Sequence, residues 1–165
     1  MSRVRNHMSR HQQRSRESYI APRNSRYRLL IDKSTIHGTG IFAEEAIPRG
    51  RKVIEYMGQR LTWAQAARLE RKLERRGAPK NDYLAQLNHN WIINGAVRGS
   101  GAELINHSCK PNLTPRRIRG RLFFFSRRKI RSGEELTVDY AVGKDAPRRV
   151  CRCGAVKCRG TMNLK

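Results

Sequence analysis

From Tyr27 onward the chain alternates short apolar runs with turn residues, a rhythm that predicts strands much more often than helices. Leu29, Leu30 and Ile31 form the first run and predict a strand. It is followed by Ile36-His37-Gly38-Thr39-Gly40-Ile41-Phe42, where two glycines flank one residue and imply close backbone approach. A second strand is predicted at Lys52–Tyr56, after the turn signal Pro48-Arg49-Gly50. Further short strands are predicted over 91–93 before the Asn94-Gly95 turn, over 122–125, and over 135–138 after Ser132-Gly133. The one long helical pattern covers 63–76: Thr62 and Gln65 form a capping box, and Gly77 and Pro79 end it. Ala66, Leu69 and Leu73 give that helix a narrow apolar stripe, while Arg68, Arg71, Lys72, Arg75 and Arg76 read as a solvated face. A single helix among short strands, without internal repeats, predicts a small, irregular, mostly β fold.

Charge changes the picture at the N-terminus. Residues 1–26 carry Arg3, Arg5, Arg10, Arg14, Arg16, Arg23 and Arg26 against Glu17 alone, which predicts a disordered basic arm. The expected organisation is therefore an arm over 1–26, a domain over 27–142 and a tail over 143–165. Across all 165 residues, 36 Lys and Arg stand against 13 Asp and Glu, a formal charge of +23. Such an excess favours polyanions, with binding that weakens steeply as salt rises. No stretch approaches the roughly 18 apolar residues of a membrane span, so no membrane partner is expected. Composition by itself supports a nucleic-acid binder as well as an enzyme.

The four cysteines narrow the choice. Cys151, Cys153 and Cys158 form C-x-C-x4-C, and Cys109 lies upstream in Asn106-His107-Ser108-Cys109. Four thiolates complete a tetrahedral zinc shell with none left over. The competing arrangement is two disulfides; Cys151 and Cys153 are too close to pair without strain, which leaves two connectivities. The N-terminal residues show no apolar leader, which favours a reducing compartment and zinc. Lys110, Arg149, Arg152, Lys157 and Arg159 are expected to lower the thiol pKa values and favour metal loading.

Polar residues gather in segments where a core would be apolar. The ordered set is His37-Gly38-Thr39-Gly40, then Glu55-Tyr56-Met57-Gly58, then Asn106-His107-Ser108-Cys109-Lys110-Pro111-Asn112, then Gly133-Glu134-Glu135-Leu136-Thr137-Val138-Asp139-Tyr140, closed by the three-cysteine tail. This set resembles the SET-domain protein lysine methyltransferases that carry a post-SET zinc segment. The resemblance implies a fold of small curved sheets, β-clip-like, with a C-terminal pseudoknot and a zinc-stapled tail. It implies an S-adenosylmethionine-dependent protein-lysine N-methyltransferase. Gly38, Thr39 and Gly40 would hold the donor through backbone groups, with Tyr83, Asn106 and His107 contacting it and Met162 and Leu164 covering its adenine. Tyr140 would be the catalytic tyrosine, Tyr56 and Val138 would line the substrate channel, and Cys109, Cys151, Cys153 and Cys158 would bind one structural zinc ion. The implied partners are a lysine-bearing protein, histone or histone-like, and nucleic acid reached through the basic arm and patches. The expected setting is chromatin, or the cytoplasm and nucleoid of a bacterium, or delivery into a host nucleus. The chain departs from the family pattern at Asn94, where an aspartate is usual, and at Glu103, where an arginine is usual. The competing reading is a catalytically silent, zinc-stapled nucleic-acid-binding protein.

Overall fold

The computed structural model describes residues 19–78 and 82–165. Ten short strands and one helix follow one another as β1 (Leu29–Lys33), β2 (Thr39–Ala43), β3 (Lys52–Tyr56), β4 (Gln59–Thr62), α1 (Trp63–Arg75), β5 (Leu84–Gln86), β6 (Trp91–Asn94), a 3-10 turn (Ala102–Leu104), β7 (Asn106–His107), β8 (Leu113–Ile118), β9 (Arg121–Ser126) and β10 (Thr137–Val138). They pair into four small sheets: β1-β2, β3-β9-β8 and β4-β6-β5, all antiparallel, and a two-residue parallel pair of β7 with β10. One apolar core joins them. Leu29, Ile41, Ile47, Ile54, Leu87, Ile105, Leu113, Ile130 and Leu136 are all essentially solvent-free within it. Leu61, Ala66 and Ile92 make a second, smaller cluster where α1 lies on β4 and β6.

Local chemistry accounts for the elements the sequence predicted. The Thr62 side chain accepts a hydrogen bond from the Gln65 amide at 3.2 Å, and Gln65 Oε1 accepts one from the Thr62 amide at 2.8 Å, so the capping box is complete. The helix stops at Arg75, one residue short of the predicted end, with Arg76 as its cap and Gly77 taking a left-handed φ of +63°. Pro79 lies outside the described residues. The strand predicted over 135–138 is shorter, Thr137–Val138.

Packing begins ahead of the expected boundary at Tyr27. Tyr19 bridges Leu30, Ser25 bridges Ile54, and Ile20 is only 6% exposed inside the main core. The basic arm expected over 1–26 is thus packed from Tyr19, because Ile20 supplies core volume; residues 1–18 lie outside the described residues. Five strands were not predicted: β2 and β7, which run through the glycine-turn and Asn106-His107 segments, and three others. β4 buries one residue in four, Leu61. β5 spans three residues. β8 reads Leu-Thr-Pro-Arg-Arg-Ile, and only an edge strand, paired on one side by β9, tolerates Pro115 in its middle.

Candidate active site

The parallel β7–β10 pair sets Asn106 beside Thr137 and His107 beside Val138. Residues next to each other in a strand point to opposite faces, so β7 serves two surroundings at once.

Asn106, buried, turns toward the glycine turn. Its amide nitrogen donates to the carbonyl oxygens of His37 and Thr39, each at 3.1 Å, and to Glu135 Oε1 at 2.9 Å. Ser34 holds the same carboxylate, donating to Oε1 at 2.8 Å, while its oxygen accepts the Ile36 amide at 2.9 Å. One carboxylate thus fastens both ends of the turn to β7. Gly38 takes a φ of +49°, and a Cβ on Gly40 would stand 2.4 Å from Glu135 Oε1. The two glycines answer different needs: Gly38 a left-handed backbone, Gly40 the close approach of Glu135. Gly38 and Thr39 are exposed, with the Gly38 carbonyl accepting the Ser34 amide at 2.9 Å and the Thr39 carbonyl accepting Asn106. Sequence reasoning missed Ser34 and Glu135 because both read as ordinary polar residues.

His107, 2% exposed, turns the other way. Its Nδ1 accepts the Tyr140 amide at 3.1 Å and lies 3.5 Å from Asp139 Oδ1, while Nε2 is 3.5 Å from Cys109 Sγ. Burial holds its pKa below the ordinary histidine value despite Asp139, so the ring is neutral. With Nδ1 accepting, the ring proton sits on Nε2 and faces the Cys109 sulfur. The expectation that His107 touches the donor is therefore left to its main chain, since both ring nitrogens are committed inward.

The four cysteine sulfurs lie within 4.8 Å of one another. Cys109 is 3.7 Å from Cys151 and 3.9 Å from Cys158, and Cys153 is 3.7 Å from Cys158. A disulfide needs about 2.05 Å, which these separations exclude. Four sulfurs at about 2.3 Å from one zinc ion stand about 3.8 Å apart along a tetrahedron's edges, and the cluster fits that ion. Main-chain N–H groups already point at the sulfurs: Cys109 to Cys153 at 3.3 Å, Arg159 to Cys109 at 3.4 Å, Gly160 to Cys158 at 3.4 Å. Burial pushes the thiols of Cys109 and Cys151 up, Cys151 to about 12, while N–H groups of Cys109 and Ala155 overcome burial to bring Cys153 down to about 6. At Cys109 and Cys151 burial outweighs the basic neighbours expected to lower them; Arg159 is also paired with Asp139, at 2.7 and 2.8 Å, and Arg149 with Asp82, at 2.8 Å. The Arg159–Asp139 fork gives the tail a second hold on the residue next to Tyr140. Asn163 fastens its end, donating to Gly143 and Ala146 carbonyls at 3.0 Å and accepting the Arg149 amide at 2.9 Å. Met162 is half-buried, and Leu164 is exposed, its amide donating to the Val142 carbonyl at 2.8 Å.

Three tyrosines meet between these surroundings. Tyr140 donates its hydroxyl to the Ile105 carbonyl at 3.0 Å and packs edge-on against His107, ring centres 5.3 Å apart. Tyr56, buried, donates to the Tyr83 carbonyl at 2.8 Å. Tyr56, Tyr83 and Tyr140 are near enough for their ionised forms to repel. Burial, then Asp82 and Tyr83, raises Tyr140 to about 12, and burial, then Glu103, raises Tyr56 as well. Both hydroxyls therefore stay protonated and serve as neutral donors. Val138 is buried beside them on β10, its carbonyl accepting the Ser108 amide at 3.0 Å. Glu103 folds back to accept the Gly101 amide at 2.9 Å and packs on Gly95 and Gly99, and burial raises its pKa. At the other departure, the Asn94 side chain, buried, accepts the Ala96 amide at 3.2 Å. Two surface clefts, about 640 and 380 Å³, lie away from these residues, along Tyr19, Arg28 and β1.

Comparison with known proteins bears on this geometry. The SET domain family matches residues 38–141. The histone-lysine N-methyltransferase set-2 of Caenorhabditis elegans is 38% identical over 139 residues, 82% of this chain and 9% of that protein. The histone-lysine N-methyltransferase, H3 lysine-4 specific, of Schizosaccharomyces pombe is 37% identical over 82% of this chain and 15% of its own length. The chain thus spans a small fraction of the curated relatives it matches. The crystal structure of KRYPTONITE in complex with mCHG DNA and SAH superposes with a TM-score of 0.69 at 26% identity, covering 84% of this chain and 29% of that one.

Proposed function

Since the chain belongs to the SET-domain family, we propose that it is an S-adenosylmethionine-dependent protein-lysine N-methyltransferase whose donor sits on the glycine turn and whose target lysine is met by Tyr140. The observation that carries this reading is β7 itself. It braces an exposed turn through Asn106 and anchors the tyrosine segment through His107.

The residues suit such a donor: an exposed turn at Gly38 and Thr39, braced from beneath by a carboxylate that tolerates no Cβ at Gly40. The donor supplies a sulfonium methyl group, and transfer needs alignment and a neutral amine rather than a covalent enzyme intermediate. Tyr56 is buried, while Tyr83 and Tyr140 are 39% and 40% exposed, so the tyrosines would form a partly open wall that a bound lysine would close, disfavouring its ammonium form. Burial raises the Tyr140 hydroxyl to about 12, so it stays protonated at neutral pH, where it would orient the amine and not act as a base. The tail's four sulfurs would hold a structural zinc, whose shell they would fill without an open position for water.

Relatives named histone-lysine methyltransferases support a histone or histone-like substrate and a chromatin setting. The excess of positive charge supports nucleic acid as a second partner. The test is transfer of labelled methyl from S-adenosylmethionine to purified histones, comparing wild type with Tyr140→Phe at equal zinc content. Wild type should label histone, and the variant should fall by roughly 100-fold. Zinc-loaded wild type that neither labels histone nor binds the donor by calorimetry would instead identify a silent, zinc-stapled binding protein.

A further inference from the structure

A basic substrate tail would be drawn by an acidic groove, but three of the five clustered acids of this chain, Glu44, Glu134 and Asp139, are paired with arginines. Glu44 pairs with Arg28 at 3.7 Å and Glu45 accepts the Arg28 amide at 2.8 Å. Glu134 pairs with Arg128, Glu135 is held by Ser34 and Asn106, and Asp139 is held by Arg159.

The β8–β9 hairpin is the converse. Between Glu103 and Glu134 the sequence has nine Lys and Arg and no Asp or Glu, and this hairpin lies within that stretch. Register places Lys52, Arg116, Arg121, Phe123 and Phe125 on one face of the β3-β9-β8 sheet. Lys52 and Arg121 lie over the Phe123 ring at 4.9 and 5.0 Å, and Arg116 lies over Phe125 at 4.7 Å. At the tip, Arg60 donates to the Gly120 carbonyl at 2.7 Å and Arg117 to the Gln86 carbonyl at 2.9 Å. Rings and carbonyls are neutral, so these contacts fix the cations without cancelling their charge; Arg121 alone in this set is paired here with an acid, Glu55. The turn itself breaks a local rule. Arg119 and Gly120, with φ of 48° and 70°, join Ile118 to Arg121 as a two-residue turn that favours Asn-Gly, yet an arginine occupies its first position.

We propose that the outer face and tip of this hairpin, with Lys52 and Arg60 beside it, form a docking surface for the phosphate backbone of duplex nucleic acid. Duplex is favoured over single strand because Phe123 is only 7% exposed beneath its cations and offers unpaired bases no stacking platform. The strained arginine is retained because its charge serves binding rather than folding. This surface rests on charge and geometry and not on the methyltransferase reading, so Tyr140→Phe should keep it intact.

The experiment measures binding of a short fluorescent DNA duplex of mixed sequence to the full chain between about 50 and 200 mM salt. Arg116→Gln with Arg119→Asn should weaken binding roughly tenfold at the low end and reduce the salt slope by about two. Asn suits the left-handed turn and offsets the lost Arg116–Phe125 contact, so the thermal midpoint of the same variant should stay within a few degrees of wild type and a loss of binding could not be a loss of fold. Arg71→Gln with Arg75→Gln removes equal charge from the exposed face of α1 and should change binding by less than about twofold. Equal losses from both pairs, no binding by wild type, or tighter binding of single-stranded DNA would overturn the proposal.

Discussion

Asn106 and His107 are neighbours in the chain, yet the two sides of β7 they serve are built on different physics. On the Asn106 side a turn is held by hydrogen bonds, two from one amide nitrogen to its carbonyls and others through Glu135 and Ser34. Such a network is sensitive to sterics and to single groups, because each buried donor or acceptor left over costs about 1–3 kcal/mol. On the His107 side four sulfurs converge for an ion, and the ring links one of them to the Tyr140 amide. That side stands or falls with the metal. The difference teaches that the donor turn and the tyrosine can fail separately although one strand carries both.

The harshest way to break the comparison is on the metal side. Cys109→Ser, or zinc removal by a chelator, should release the tail at 151–163 and with it the Arg159–Asp139 fork beside Tyr140. Structural zinc in small sites contributes about 10–16 kcal/mol of apparent binding energy, so methyl transfer should drop to background. Hydrogen exchange would then show protection lost over the tail while β1 and β2 keep theirs.

Gly40→Ala attacks the other side. Its Cβ would displace the Glu135 carboxylate and crowd Ser34, at a cost of about 1–3 kcal/mol. Donor affinity by calorimetry should fall about tenfold or more, with zinc content unchanged.

The smallest effect sharpens what lies beneath both sides. Asn112 donates to Glu134 Oε1 at 3.0 Å and to the Glu135 carbonyl at 2.7 Å, bracing the approach to β10. Burial would raise Glu134, but Arg128, Asn112 and the Arg131 amide outweigh it and lower its pKa from 4.5 to about 2. A lowered carboxylate stabilises the fold above its unfolded pKa and loses that contribution as pH falls from about 4.5 toward 2. Glu134→Gln should therefore cost about 1 kcal/mol at neutral pH, and its thermal midpoint should converge with wild type near pH 2.

Legibility in the sequence followed the range of the interactions. The capping box at Thr62 and Gln65, the strand at Lys52–Tyr56 and the cysteine spacing are local signals, and the structure holds each where it was expected. The β7–β10 pair spans two residues on each strand and joins segments far apart in sequence, so no periodicity announces it. Glu135 was invisible for a related reason: its partners Ser34 and Asn106 lie 101 and 29 residues away. The sidedness of His107 follows from strand alternation once Asn106 is known to be in a strand. Ile20 was hidden by the arginines around it, which made a core residue look like part of a solvated arm.

The central claim is that β7 separates donor binding from metal-anchored tyrosine placement. Zinc affinity and donor dissociation constant, measured on the same preparations of Asn106→Ala and His107→Ala, test it most directly. Asn106→Ala should lose donor affinity by about tenfold or more while holding zinc like wild type. His107→Ala should lose zinc affinity by about 10–100-fold, yet bind the donor normally when saturated with zinc. Two variants that lose both properties together would contradict the account.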